Sequence, residues 1–330
     1  MRQASFQGPR EDKPTTDVVR EVKTMAAVNT SASARRNSAP VKKAPASYAG
    51  VTLTHPDRVY WADAGVSKRD LAEFYRAVWQ WMRPHVAGRP IALLRCPQGV
   101  GAQCFFQKHP SAGIATEHLH QVREKGDKII SINDLDGLMA LVQAGVLEIH
   151  TRGSTIDDRE RADRLVFDLD PGPGTNWRDV VAAAREVRER LAQLKLKSFV
   201  KTTGGKGLHV VLPIKPTPWN EAKDFAHALA AAMARDTPER YIATATKAKR
   251  SKRIFIDYLR NSREATAVAP YSTRARPGAA VSTPVEWSEL GTLKSAGQYT
   301  IKNLPQRLAR LRKDPWAAIG RIKQTLPKLK

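Results

Sequence analysis

Cysteine is nearly absent from this chain: Cys96 and Cys104 are the only two in 330 residues. They lack Cys-x-x-Cys spacing, and two thiols cannot by themselves build a zinc centre. A reducing cytosol is their natural setting, with a bridge between them left open. No apolar run approaches the length of a membrane span, and the opening Met-Arg-Gln-Ala-Ser-Phe-Gln has no apolar signal core. The sequence is therefore expected to be soluble and cytoplasmic, with no membrane partner. Acidic residues are also scarce, 32 Asp and Glu against 55 Lys and Arg, leaving a net charge of +23. That balance calls for a polyanionic partner, of which nucleic acid is the commonest; it predicts binding rather than catalysis.

What is present divides unevenly. Residues 26–47 are rich in Ala, Ser, Asn, Lys and Arg with hardly a large apolar side chain, the composition of a flexible basic linker. Residues 4–21 contain a Phe and a Val pair but are too few to form a core. The first 48 residues contribute +5 (nine Lys and Arg less four acids), so +18 remains on the rest. From Tyr48 onward the pattern is globular. Ser67 is placed to cap a helix carrying Leu71, Phe74, Tyr75, Val78 and Met82, and Asn133 or Asp134 starts another that ends near Gly145. Asn176 caps a third, running to Leu194, and 219–235 is an Ala-rich fourth. Strands are expected at 91–95, 146–150, 164–170 and 253–258, with two more inside 198–213 joined by a Gly-rich turn. The 304–329 stretch reads as basic helix broken by Pro315 and Pro327. Helices mixed with hairpin-type strands give an α+β domain.

The chemistry concentrates in three places. Alternation along 164–170 puts Asp168 and Asp170 on one strand face and Leu165, Phe167 and Leu169 on the other, and Pro171 to Gly174 then end the strand. Two carboxylates about 7 Å apart suit one or two hard divalent cations. A calcium loop is excluded because its fifth position is Gly172. Asp257 adds a carboxylate beside Phe255 and Leu259, which is costly unless paired or metal-bound; Arg250 and Arg253 are the alternative partners. Residues 201–209 are a Gly-rich turn where backbone amides can approach a phosphate, Lys206 adds charge, and Thr203 and His209 can donate. The spacing is not that of a Walker loop. Carboxylate pair, phosphate cradle and distal carboxylate together suggest a nucleotidyl transferase in which two cations hold a triphosphate and lower the pKa of an attacking 3′-hydroxyl.

In this order and spacing, DLDPGPG, TTGGKGLH and IFIDYLRN resemble the archaeo-eukaryotic primase superfamily, and more narrowly the polymerase domain of bacterial ligase D. The likeness extends through LTHPDRVY, LRCPQG, CFFQKH, LEIH and VAPYSTR and covers roughly residues 49–320. It implies a primase-like core with mixed or antiparallel sheets flanked by helices. It also implies that Asp168, Asp170 and Asp257 bind manganese or magnesium, two ions in all. Thr203, Lys206 and His209 would hold the incoming triphosphate, with Arg250, Arg260 and Arg274 as further contacts and His150 lining the nucleotide pocket. Phe105 and Phe106 match an aromatic pair that packs on template bases, with Lys108 beside them on the DNA side, and Arg58 and Lys68 match residues gripping a downstream 5′-phosphate.

Two departures stand out: Thr203 replaces the family's usual Ser, and Arg152 stands where relatives often carry Trp. The amino-terminal SFQGPREDKP resembles the end of a ligase module, so the expected layout is a remnant over 1–22, a linker over 23–48 and a polymerase domain over 49–330. The resemblance implies extension of 3′-ends at gaps and double-strand breaks during bacterial end joining, with ribonucleotides preferred, near the nucleoid. Implied partners are DNA ends, nucleoside triphosphates, a Ku-type end binder and a ligase module. Two rival readings stand beside it. One is a non-catalytic module that bridges DNA ends, which would gain nothing from three carboxylates facing phosphates. The other is a replicative primase, which the absence of a zinc-type Cys cluster disfavours.

Overall fold

The computed structural model describes residues 46–48, 50–110 and 113–328. The expected ligase remnant and the linker up to residue 45 lie outside the described residues. Ala46–Tyr48, placed by sequence in the linker, pairs as a short strand with Val51–Leu53.

Two sheets organise the described chain. The larger has six strands in the order Tyr241–Ile242, Ile254–Asp257, Arg161–Pro171, Leu208–Pro218, Phe199–Thr202 and Pro284–Val285. Every pairing in it is antiparallel except the first. The smaller has four antiparallel strands, Ala267–Val268, Val146–Thr151, Ile91–Arg95 and Phe105–Gln107. With five α-helices among the described residues the class is α+β, as expected.

Each sheet has its own core. Helices Lys68–Val86 (α1) and Leu135–Gln143 (α2) share a cluster with Leu93, Leu147 and Ile149 of the smaller sheet. Helices Trp177–Gln193 (α3) and Trp219–Asp236 (α4) cover Leu165, Phe167 and Leu169 of the larger one. The opposite face of the larger sheet turns toward the smaller sheet, where Val166, Phe199, Val211, Ala267, Trp316 and Ile319 make a small third cluster. The period of two along 164–170 therefore decides which residues meet the helices and which meet the gap.

Helix starts follow the caps read from sequence. Ser67 and Asn176 each form a reciprocal capping box, with Asp70 and Asp179, and Asp134 accepts from the Gly137 amide at 2.9 Å. The carboxy-terminal expectation needs correction. Only Leu304–Arg310 (α5) is helical, and Trp316 beyond it is buried with its Nε1 donating to the Val200 carbonyl at 3.0 Å. Anchoring that indole in the inter-sheet gap outweighs helical spacing. Cys96 and Cys104, left open by the sequence, are joined as a disulfide across the loop that precedes Phe105. No helix among the described residues is long and apolar enough to cross a membrane.

Candidate active site

The Arg161–Pro171 strand lies between two antiparallel neighbours, and register fixes what faces Asp168. Asp257 is opposite it on one side and His209 on the other, and Lys201 stands opposite His209 one strand further on. The four side chains form a row across the sheet, on the face turned away from α3 and α4. Asp170 is two residues along on that face, opposite Phe255.

Three acids this close repel, and guanidinium groups answer them. Arg260 Nε lies 3.2 Å from both Asp168 Oδ2 and Asp257 Oδ2. Arg250 donates to Asp170 Oδ2 at 2.7 Å and lies over the Phe255 ring. The alternative pairing of Asp257 with Arg250 or Arg253 is thus replaced by Arg260. Burial alone would raise the Asp168 carboxyl, but His209 beside it and Arg260 prevail and hold it well below the ordinary carboxylate range. Asp170 and Asp257 go the other way, pushed up by burial and by the Asp168 charge. His209 Nε2 sits 3.4 Å from Asp168 Oδ1, and burial together with Lys201 brings its pKa down to about 4, so the imidazole is neutral at pH 7. Lys201 is itself buried and donates to Ser282 Oγ at 2.6 Å; burial and Arg274 lower its pKa far below the usual lysine value.

A cleft of about 220 Å³ opens over this row. It is lined by His150, Asp168, Asp170, Thr203, Lys206, His209, Arg260 and Arg274, so eight of the sequence-derived residues converge in one cavity. Asp257 joins through Arg260 without lining it. The Gly-rich turn forms its far wall. Thr203 closes that turn: its hydroxyl donates to the Gly207 carbonyl at 2.9 Å and accepts from the Gly205 and Gly207 amides. A triphosphate contact by this hydroxyl, expected from sequence, would be made in exchange for that bond. Gly204 takes φ +64°, and a Cβ on Gly207 would fall 2.1 Å from the Leu169 carbonyl oxygen, so the turn packs directly on the carboxylate strand. Lys206 stays exposed, with no side-chain partner among the described residues.

Sequence reasoning missed two contributors. Arg276 lines the cleft beside Arg274 and carries no side-chain partner among the described residues; its place next to the VAPYSTR block was the available signal. Glu148 lies beneath the cleft, hydrogen-bonded to His150. Its place inside the LEIH block was the available signal.

The remaining expected residues lie elsewhere. Phe105 and Phe106 are exposed on the smaller sheet; Phe106 meets His150 edge-on with ring centroids 5.6 Å apart, and Arg95 lies over Phe105. Lys108 is exposed just past the same strand. Arg58 and Lys68 are outside the cleft. Lys68 is buried, with its ammonium on the Thr54 carbonyl (2.9 Å) and Gln143 Oε1 (2.6 Å), and Arg58 donates to the Pro97 carbonyl. Arg152, the departure from the family pattern, is buried against Glu124 at 2.7 Å, and Arg263 meets the same carboxylate at 3.2 Å. It anchors the His120–Glu124/Asp127–Ser131 hairpin and lies outside the cleft lining.

Carboxylate oxygens and cations lining one cleft suit a hard cation bound with a polyphosphate. Among the described residues, however, no three His, Cys, Asp or Glu side chains are already gathered around a cation position. The carboxylates fit a metal by chemistry, with Arg250 and Arg260 standing where it would draw them together.

A carboxylate row facing a basic Gly-rich turn between two sheets defines a primase-polymerase type of core, and the chain belongs to that family: the family described as LigD, primase-polymerase domain, matches residues 67–316. Among relatives, the multifunctional non-homologous end joining protein LigD of Pseudomonas aeruginosa is 39% identical over 332 residues, covering 99% of this chain and 39% of that protein. The protein of the same description from Mycolicibacterium smegmatis is 34% identical over 249 residues, 74% of this chain and 33% of the relative. This chain therefore corresponds to well under half the length of either. Among solved structures, the polymerase domain of Mycobacterium tuberculosis ligase D in complex with DNA superposes with a TM-score of 0.75 at 31% identity, over 82% of this chain and 97% of that one.

Proposed function

We propose that this chain is a nucleotidyl transferase that extends DNA 3′-ends at gaps and double-strand breaks, adding ribonucleotides in preference, and that it acts in end joining with a Ku-type end binder and a ligase module. The observation that carries this reading is that a single cleft is lined both by the carboxylates Asp168 and Asp170 and by the cations Lys206, Arg274 and Arg276. Pure DNA binding gains nothing from acids lining its cleft, whereas phosphoryl transfer needs carboxylates and cations together.

Asp168, Asp170 and Asp257 would hold manganese or magnesium. When bound, such ions neutralise the triphosphate and make a 3′-hydroxyl easier to deprotonate. The chain's own residues do the rest. Lys206, Arg274 and Arg276 bind the β- and γ-phosphates and fix the α-phosphorus over Asp168. Neutral His209 keeps a donor beside Asp168 without adding a positive charge that would compete for the carboxylate.

Phe106 offers an exposed ring for a template base. Arg58 and Lys68 are close enough for Arg58 to depress the Lys68 pKa, and neither has a carboxylate partner among the described residues. Two neighbouring cations without a counterion suit a downstream 5′-phosphate.

Extension of a primed, gapped DNA bearing a 5′-phosphate tests the reading. Wild type with manganese should add ATP more readily than dATP, and Asp257→Ala should add neither. Wild type that binds this DNA and adds nothing would favour an end-bridging role instead.

A further inference from the structure

Glu148 is 3% exposed on the Val146–Thr151 strand and still ionised: burial opposes its charge, but His150, Arg274 and the Ala275 amide bring its pKa down to about 2. One carboxylate oxygen accepts from His150 Nε2 at 2.8 Å and lies 3.0 Å from Arg274 Nε; the other accepts from the Ala275 amide at 2.9 Å. Arg274 in turn donates through a terminal nitrogen to the Thr203 carbonyl at 2.6 Å, and His150 carries the Phe106 contact on its other side. Glu148 itself does not line the cleft. It grips two side chains that do.

The fold does not need this carboxylate to hold the strand to the following segment. Ile149 donates its amide to Ser272 Oγ at 2.8 Å, Ala269 donates to the Ile149 carbonyl at 2.9 Å, and Thr273 Oγ1 donates to the Leu147 carbonyl. Tyr75 Oη braces Thr273 from α1. What Glu148 adds is orientation. Without it the Arg274 guanidinium keeps one bond, to Thr203, and swings about it, and the His150 ring loses the acceptor that fixes its tautomer.

We propose that Glu148 is a positioning residue for the nucleotide: it sets Arg274 to receive the triphosphate and His150 to close the pocket beneath Phe106, so that one buried carboxylate ties the phosphate end of the cleft to its base end. The inference rests on the nucleotidyl-transferase reading.

The test is Glu148→Gln, which keeps size and one acceptor but removes the charge. ATP affinity, measured at equilibrium without DNA, should fall about tenfold, the loss of one charge-assisted contact, and KM for ATP should rise by the same factor while kcat changes less than about threefold. Affinity for gapped DNA should hold, while the melting temperature falls because the buried Arg274 loses its counterion. In an Arg274→Ala background the same change should cost clearly less than in wild type, because the share exerted through Arg274 is gone and only the His150 share remains. Should Glu148→Gln fail to fold, Glu148→Asp, which keeps the charge and shortens its reach, carries the test and should give an intermediate loss. Unchanged ATP affinity in a folded variant, or an equal loss with and without Arg274, overturns the proposal while leaving the transferase reading intact. Wild type that neither binds ATP nor adds nucleotide overturns both.

Discussion

Asp168 and Asp257 stand directly opposite one another on antiparallel strands, and a single nitrogen, Arg260 Nε, lies 3.2 Å from a carboxylate oxygen of each. The pair is thus neutralised by a group that a divalent cation would displace. Arg250 does the same for Asp170. The acids are paired with cations of the chain itself, which compensates their charge.

From this follows a metal-linked stability. Manganese should raise the melting temperature of wild type, by the equivalent of about 2.7 kcal/mol at a hundredfold excess over its dissociation constant, and a chelator should reverse the rise. Asp168→Asn and Asp257→Asn should lose most of the shift. Without metal, Asp257→Asn should unfold within about 1 kcal/mol of wild type, since burial, and after it the Asp168 charge, already disfavours ionisation at that position. An identical manganese shift in all three proteins would remove these carboxylates from the metal site.

The carboxylate strand was legible because a period of two is written directly in 164–170, and a strand ended by Pro and Gly leaves few other places for the acids. The three N-caps were legible for a similar local reason. The role of Glu148 was not: it lies within the LEIH block, but what it does depends on Arg274, far away in sequence, folding back onto it. The 304–329 stretch misled in the opposite sense. Its Leu and basic spacing is helical, but Trp316 is worth more in the gap between the sheets than as one more turn. Turn chemistry was half legible: glycines at 204, 205 and 207 announced a tight approach, while the Thr203 hydroxyl closing it did not announce itself.

Lys68 yields a pH dependence. Burial, then the nearby Arg58 charge, lowers its pKa to about 8, so the ammonium is charged at pH 7 and lost as pH climbs past that value. Stimulation of gap filling by a downstream 5′-phosphate should therefore be full at pH 7 and decline on the alkaline side of about 8, with bound phosphate moving the midpoint upward. Lys68→Met should abolish the stimulation at every pH and leave extension of unphosphorylated gaps unchanged. Rates measured on both substrates across pH 6.5 to about 9.5 decide it; a flat ratio for wild type would remove Lys68 from the phosphate grip.

Gly207 should tolerate no side chain. An added Cβ would sit 2.1 Å from a backbone oxygen of the carboxylate strand, so the turn or the strand must move. Gly207→Ala is expected to cost about 1–3 kcal/mol in denaturant unfolding and more than about tenfold in nucleotide addition, because Lys206 moves with the turn. Gly101, with nothing within 4 Å of its added Cβ, supplies the control: Gly101→Ala should stay within about 0.5 kcal/mol of wild type. Equal stability of the two variants would mean the turn yields freely.

Phe106 separates stability from recognition. The residue is 65% exposed, so truncation removes little packing, and Phe106→Ala should unfold within about 0.5 kcal/mol of wild type. The same exposure is what a stacking platform requires. Loss of a base–aromatic stack is worth about 1–3 kcal/mol, which corresponds to roughly a five- to 150-fold drop in affinity for a template overhang. Phe105, partly covered and carrying the Arg95 guanidinium 5.4 Å from its centroid, should lose less affinity and more stability. Fluorescence anisotropy on overhanging DNA, paired with thermal unfolding, measures both quantities for both variants. If Phe106→Ala binds as wild type does, the ring serves His150 alone, and the template must be held elsewhere on the smaller sheet.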